Sequence, residues 1–424
     1  MHRRLHLIIL IGLLAAVCRL PAQPTAVDNR QEDTMRVLPW PENVQVLLDS
    51  LCALPLLQTS TAGLMVYDLT ADSVLFSYNA QQTLRPASTM KLFTAVTALD
   101  RLGGNYKFRT QLYHTGVVCD TVLFGDLRVV GGFDPRLDTD DLIAMAESVK
   151  QMGVNTICGN IVTDLTMKED KPYGEGWCWD DDNPVLSPLT VGRDTAFAAR
   201  FAQRLNDAGI IFTDTIASPF GEEPNPQTSN SRRQSTTVTI RTHSIDQVLQ
   251  RMMKQSDNFY AEAMFFQIAS SAAARKPARA RDAATAIRQV IKKAGAGGVP
   301  CRIADGSGLS LYNYVTAEME TMLLRYAFHH KGIYSHLLPS LPIAGRDGTL
   351  KNRMQGTAAE NNVRAKTGTL TAVSSLAGYA TAANGHRLCF AVLNQGALAA
   401  QQARQFQDAV CETICRNYET PLTQ

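Results

Sequence analysis

The chain has 424 residues, 45% hydrophobic and 19% charged, with a net charge of +2. That length accommodates two or three domains, and the composition is that of an ordinary globular protein. A near-neutral chain with no basic run and no nucleic-acid motif argues against a polyanionic partner and against nucleic acid in particular.

His2-Arg3-Arg4 followed by the apolar run Leu7 to Val17 has the form of an export signal over residues 1–22, too short to span a bilayer. Pro21-Ala22-Gln23 offers a cleavage point after Ala22. Lipoprotein processing at Cys18 is an alternative, poorly served by the large Val17 before it, and a retained N-terminal anchor is another. The mature chain is expected in the periplasm or another extracytoplasmic, oxidising space, with loose membrane or wall association left open. The cysteines include no Cys-x-x-Cys pair, and beyond the expected signal the histidines include no His-x-x-x-His pair. Cys411 and Cys415 stand one helical turn apart, a poor disulfide geometry. His329-His330 reads as a solvated helix end, so no metal site is expected.

Residues 24–41 form a polar lead-in, and Pro41 to Leu54 reads as a helix with an apolar stripe. Gly63 to Leu69 and Ser73 to Tyr78 are β runs joined by Thr70-Ala71-Asp72. Pro86-Ala87-Ser88-Thr89-Met90-Lys91 then leads into a stretch, Leu92 to Leu99, that is apolar except for Thr94 and Thr97. A helix apolar on nearly all sides is a buried one, and Pro86 suits the position just before it. Ser88 is thus expected at the start of a core helix, with Lys91 one turn on along the same face.

From 105 to about 240 the pattern changes to short β segments: Phe108 to Tyr113, Val117 to Leu123, Asp126 to Val130 and Ile157 to Thr163. Helices are expected over Asp141 to Met152 and Thr195 to Ala208, the latter ending at Gly209. Trp177-Cys178-Trp179-Asp180-Asp181-Asp182 is an aromatic and acidic loop without the Gly and Glu of a calcium loop. Residues 219–234 read as a linker or surface loop. Beyond it, Ile245 to Lys254, Phe259 to Ser271, Thr316 to His329 and Ala400 to Tyr418 are expected helices. Asp305 to Ser310 is a polar turn. Val363 to Thr369, Val373 to Ala382 and Arg387 to Leu393 are strands, the last two joined through Asn384-Gly385. The expected division is a signal at 1–22, a first catalytic part at 23–104, an inserted domain at 105–240 and a second catalytic part at 241–424.

Three motifs stand in order: Ser88-x-x-Lys91, Ser256-x-Asn258 and Lys366-Thr367-Gly368. Each alone is weak. A serine opening a helix is usually an N-cap, and Ser77-Tyr78-Asn79 also fits the second pattern but precedes the nucleophile within a strand. The ordered triple is the set of the penicillin-binding proteins and serine β-lactamases. Its chemistry uses every part. Ser88 attacks a carbonyl, and a desolvated, neutral Lys91 takes its proton. Ser256 relays that proton to the leaving amine, while Asn258 orients Lys91 and the substrate amide. Lys366 and Thr367 meet a terminal carboxylate, and Gly368 lets substrate backbone lie along the strand. The N–H groups of Ser88 and Thr369 form an oxyanion hole.

The chain resembles the penicillin-binding protein 4 type of D-Ala-D-Ala carboxypeptidase, peptidase family S13, over roughly residues 42–418. The resemblance rests on Pro86 to Lys91, Gly125-Asp126-Leu127, Gly131 to Pro135, Trp177 to Asp181, Lys254 to Asn258 with Ala261-Glu262, Asp305 to Ser310, Leu341-Pro342 with Gly345, Gly348-Thr349-Leu350 and Lys366 to Leu370. It implies an α+β, penicilloyl-serine transferase (serine β-lactamase-like) fold: an antiparallel sheet flanked by helices, interrupted by a mainly β insert. It implies an exported D,D-carboxypeptidase, with D,D-endopeptidase action as a second activity, working on peptidoglycan stem peptides ending in D-Ala-D-Ala. β-Lactam antibiotics are the implied covalent inhibitors, and neither metal nor organic cofactor is needed. Two departures stand out. The chain passes from Ser187-Pro188-Leu189 almost directly to the Thr195 helix, where the family's third domain normally sits. Leu311 follows Ser310 where many members carry Arg. A β-lactamase on the same fold and a non-enzymatic wall-binding protein are the rival readings.

Overall fold

The computed structural model describes residues 38–213, 235–274 and 277–416. The expected signal, the 219–234 loop and the last residues of the closing helix lie outside them. Among the described residues no helix is long and apolar enough to cross a membrane.

Five antiparallel strands make the central sheet, in the order Arg364–Leu370, Val373–Thr381, Arg387–Gln395, Thr61–Asp68, Ser73–Tyr78. The N-terminal hairpin completes a sheet whose other strands come from the far end of the chain, with Thr61 opposite Gln395 and Asp68 opposite Leu388. Side chains alternate across it with period two. Leu64 and Val66 join one core with Val44, Leu48, Phe406 and Val410, from the helices Glu42–Cys52 and Ala400–Cys415. Met65 and Tyr67 join the larger core on the opposite face, with Phe93, Val96, Phe265 and Leu323. That face is covered by helices including Met90–Leu102, Asn258–Ala272 and Ala317–His329. Helices Ala280–Lys293 and Lys331–Ser340 join this layer; neither is among the elements expected above.

Between Lys107 and Ser244 the chain builds two further four-stranded sheets, neither hydrogen-bonded to the central one. They share a third core containing Leu112, Leu127, Val129, Met145, Ile157, Phe201 and Leu205. Several boundaries differ from the sequence reading, each for a local reason. The run Val117 to Leu123 is a tight hairpin, Val117–Cys119 against Val122–Phe124, turned at Asp120 with φ +52°. The run Ile157 to Thr163 is two strands, Thr156–Cys158 and Ile161–Asp164, in different sheets. Gly159 separates them where a Cβ would stand 2.1 Å from the Gly125 carbonyl oxygen, a close approach open only to glycine. The returning strand runs from Thr236 to Ser244, past the expected boundary at 240, because it pairs with Lys107–His114 along its length. After Leu189 the chain makes a tight turn, with Val191 bridged to Asp194, before the helix Phe197–Asp207.

Candidate active site

Pro86 opens a single 3-10 turn, Ala87–Thr89, which carries Ser88 and feeds the helix Met90–Leu102. Every residue from Met90 to Leu99 is buried, as the near-continuous apolar run requires. Ala87 has φ +48°, a left-handed conformation that costs a non-glycine residue about 1–3 kcal/mol and clusters at functional sites. Arg85, just before, donates its backbone N–H to Gln395 of the sheet at 3.2 Å.

Lys91 is completely buried. Its Nζ lies 3.0 Å from Ser88 Oγ, and donates to Asn258 Oδ1 at 2.7 Å and to the Ser307 carbonyl at 2.8 Å. Desolvation pulls its pKa down to about 8, against the pull of Asp305, Glu262 and Asp257. A lysine in that range supplies a neutral amine near physiological pH.

Ser256 also occupies the left-handed region, at φ +59°. It closes the helix Ile245–Lys254 and precedes Asp257, which caps the helix Asn258–Ala272 by accepting from the Tyr260 N–H. Asp257 is held from both sides, by Arg251 at 2.8 Å and by Arg193 of the insert at 2.7 Å. The Ser256–Asn258 turn thus points one side chain to each lysine: Asn258 to Lys91, and Ser256 Oγ to Lys366 Nζ at 2.8 Å.

Lys366 is fully buried on the strand Arg364–Leu370, an edge of the central sheet. Burial, with the charge of Lys91 adding to it, pushes its pKa well below the usual lysine range. Thr367 is half-buried and hydrogen-bonds Thr349 at 2.7 Å, which brings the Gly348–Leu350 turn to the site. Thr369 is exposed on the same strand. Gly368 also has a reason within the protein itself. A Cβ there would meet Ser375 Oγ at 2.1 Å, Pro86 O at 2.7 Å and Ser88 N at 2.9 Å. The missing side chain lets the strand lie directly against the nucleophile turn. Ser77-Tyr78-Asn79 lies at the opposite edge of the sheet, away from both lysines.

The Asp305–Ser310 turn forms the wall behind Lys91. Asp305 accepts from Gly308 N, Ser310 N, Asn313 Nδ2 and Trp177 Nε1, all between 2.7 and 2.9 Å. The aromatic loop of the insert is fastened to this turn through Trp177, while Trp179 is 93% exposed. Among the described residues no group of His, Cys, Asp or Glu side chains could hold a metal ion.

A part-buried serine on a fully buried lysine, a second serine and an asparagine at a helix start, and a lysine on an adjoining sheet edge bring the three sequence motifs into one site suited to serine-nucleophile chemistry. The D-Ala-D-Ala carboxypeptidase 3 (S13) family matches the chain over residues 44–191 and 190–416, and the chain belongs to that family of serine-type carboxypeptidases. It is 28% identical over 437 residues to the D-alanyl-D-alanine carboxypeptidase of Actinomadura sp. strain R39, covering 82% of this chain and 80% of the relative. It is 25% identical to the D-alanyl-D-alanine carboxypeptidase DacB of Haemophilus influenzae, covering 78% and 84%. The crystal structure of penicillin-binding protein 4 (dacB) from H. influenzae superposes with a TM-score of 0.74 at 23% identity, over 86% of this chain and 97% of that one. The same protein complexed with a β-lactam superposes with a TM-score of 0.69 at 25% identity.

Proposed function

We propose that the protein is an exported D-alanyl-D-alanine carboxypeptidase that acts on peptidoglycan stem peptides through an acyl-enzyme on Ser88, and that β-lactams acylate the same serine. One observation carries the reading: Lys91, buried and with its pKa drawn down to about 8, lies 3.0 Å from Ser88 Oγ. Lys91 accepts the hydroxyl proton as Ser88 Oγ bonds to the carbonyl carbon of the penultimate D-Ala. The tetrahedral oxyanion forms next to the N–H groups of Ser88 and Thr369. Collapse breaks the C–N bond, the terminal D-Ala leaves as an amine protonated through Ser256, and water then hydrolyses the ester.

Lys366 and Thr367 receive the substrate's terminal carboxylate. Burial drives Lys366 towards its neutral form, and a bound carboxylate reverses that bias, because an opposite charge nearby favours the ammonium. Peptide binding uses the outer edge of Arg364–Leu370 beyond Ala365, whose N–H is already given to the Pro342 carbonyl. Residues 105–240 act as an inserted domain that supports this site without supplying a reacting group.

The test is labelling by a fluorescent penicillin together with D-Ala release from a D-Ala-D-Ala peptide. Wild type is expected to do both and Ser88→Ala neither. A labelled Ser88→Ala protein would overturn the assignment. Rapid penicillin turnover in place of a long-lived adduct would favour β-lactamase action.

A further inference from the structure

Glu262 is a fully buried carboxyl that the acylation sequence above does not use. It lies four residues after Asn258 on the helix Asn258–Ala272, one turn further along the same face. Its Oε1 accepts from two successive backbone N–H groups, Gly306 at 3.0 Å and Ser307 at 2.8 Å. The carbonyls of those two residues are taken from the nucleophile helix. Ser307 O accepts from Lys91, and Gly306 O accepts from Thr94 Oγ1 at 2.7 Å. The turn is pressed closely on the helix Asn258–Ala272, since a Cβ on Gly306 would stand 2.5 Å from Phe265 Cβ. One short peptide segment is therefore clamped between Glu262 on one side and Lys91 and Thr94 on the other.

We propose that Glu262 is a positioning residue for Lys91: its carboxyl fixes the Ser307 carbonyl that holds the lysine amine, and its charge sets the pH at which that amine becomes a base. The inference rests on the function proposed above. The two groups are coupled through space. Each is fully buried, and each feels the other as an opposite charge. Desolvation, with Asp305 adding to it, raises the Glu262 pKa to about 8, close to that of Lys91. Such a pair titrates as a unit. Asp305 on the opposing turn and Asp257 at the helix start also bear on Lys91, and Lys366 feels its charge. Glu262 and Asp305 further line a cavity of about 230 Å³ with Glu169, Lys171, Arg279 and Arg281.

Two variants separate the clamp from the charge. Glu262→Gln keeps an oxygen facing Gly306 and Ser307 but removes the charge. Glu262→Ala removes both. The measurement is the rate of acylation by a fluorescent penicillin across about pH 6 to 9, with wild type and Ser88→Ala run alongside. Losing a negative charge lowers the lysine pKa, so the acid limb of Glu262→Gln is expected to move down by about one pH unit and to sharpen to a single ionisation. Its high-pH plateau is expected within about threefold of wild type. Glu262→Ala is expected to lose roughly tenfold or more at every pH, because the buried Gly306 and Ser307 N–H groups lose their acceptor. Should the alanine variant fail to fold, the glutamine variant decides alone. An unmoved acid limb in Glu262→Gln overturns the role of Glu262 and leaves the function standing. Label on Ser88→Ala overturns the function itself.

Discussion

Two buried carboxylates of the insert and the two buried lysines of the active site are held in different ways. In the insert, buried Asp134 is paired with His243 at 2.8 Å and buried Asp141 with Arg241 at 2.8 Å. In the active site, Lys91 and Lys366 are buried completely and take only hydroxyl, amide and carbonyl oxygens as partners. A paired buried charge is satisfied and inert. An unpaired buried amine is driven towards its neutral form and becomes a base. The lack of a carboxylate partner does not by itself mark the chemistry, since Lys168 is also buried and donates to the Glu169 and Lys171 carbonyls; what sets Lys91 apart is the Ser88 hydroxyl 3.0 Å from its amine.

The sharpest way to break that comparison is Ser88→Ala. If Lys91 is neutral in order to activate Ser88, removing the hydroxyl abolishes both penicillin labelling and D-Ala release, while a thermal melt stays close to wild type. Gly368→Ala comes next. Its Cβ would press on backbone atoms of Pro86 and Ser88, which cannot swing aside as a flexible side chain would. Overpacking of this kind costs about 1–3 kcal/mol, and where it displaces the nucleophile turn the acylation rate should fall roughly tenfold to a hundredfold. A wild-type rate with a lowered melting temperature would confine the strain to the scaffold.

Lys366→Ala sharpens the comparison by substrate. A charged hydrogen bond is worth about 1.5–3 kcal/mol, so kcat/KM on a peptide with a free terminal carboxylate should drop roughly tenfold or more. The loss on a small uncharged ester should be smaller. Equal losses would assign Lys366 to proton chemistry alone. Arg193→Ala, on the insert, should have the smallest effect, about threefold or less in acylation rate. Its side chain is 42% exposed, and Arg251 still pairs with the buried Asp257 carboxylate when Arg193 is removed. A hundredfold loss would move Arg193 into the machinery and blur the distinction between the two regions.

The side chains of the site were legible in the sequence because Ser88, Lys91, Ser256, Asn258, Lys366, Thr367 and Gly368 sit in short motifs of fixed spacing. What those motifs touch was not. No spacing rule announces that Ser256 and Ala87 adopt positive φ, since the surrounding fold imposes both. Gly368 was read for its room for substrate; that its missing Cβ also lets the nucleophile turn pack against the strand was not visible in the motif. Glu262 was quoted only as part of a motif; its place one turn after Asn258 was the available signal. The helix Ala280–Lys293 had a readable stripe in Ala283, Ala284, Ile287, Val290 and Ile291. Lys331–Ser340 was hidden by Gly332 near its start and Pro339 near its end, both breakers on local grounds. Short strands in the insert were the least legible, because three or four residues carry too little periodicity to locate their ends.

The sheet's wiring has a consequence for when activity can begin. Arg85, beside the nucleophile turn, is held by Gln395, 310 positions further along the chain, and the strand Thr61–Asp68 has its partner in Arg387–Gln395. A growing chain carries Ser88 and Lys91 from its first quarter. It gains the strand that Lys366 rides on, and the one that holds Arg85, only near its end. Contacts so distant in sequence form late. A chain cut short before its final strands holds the nucleophile and its base on an unclosed sheet, so acylation should be confined to chains that have been made to completion.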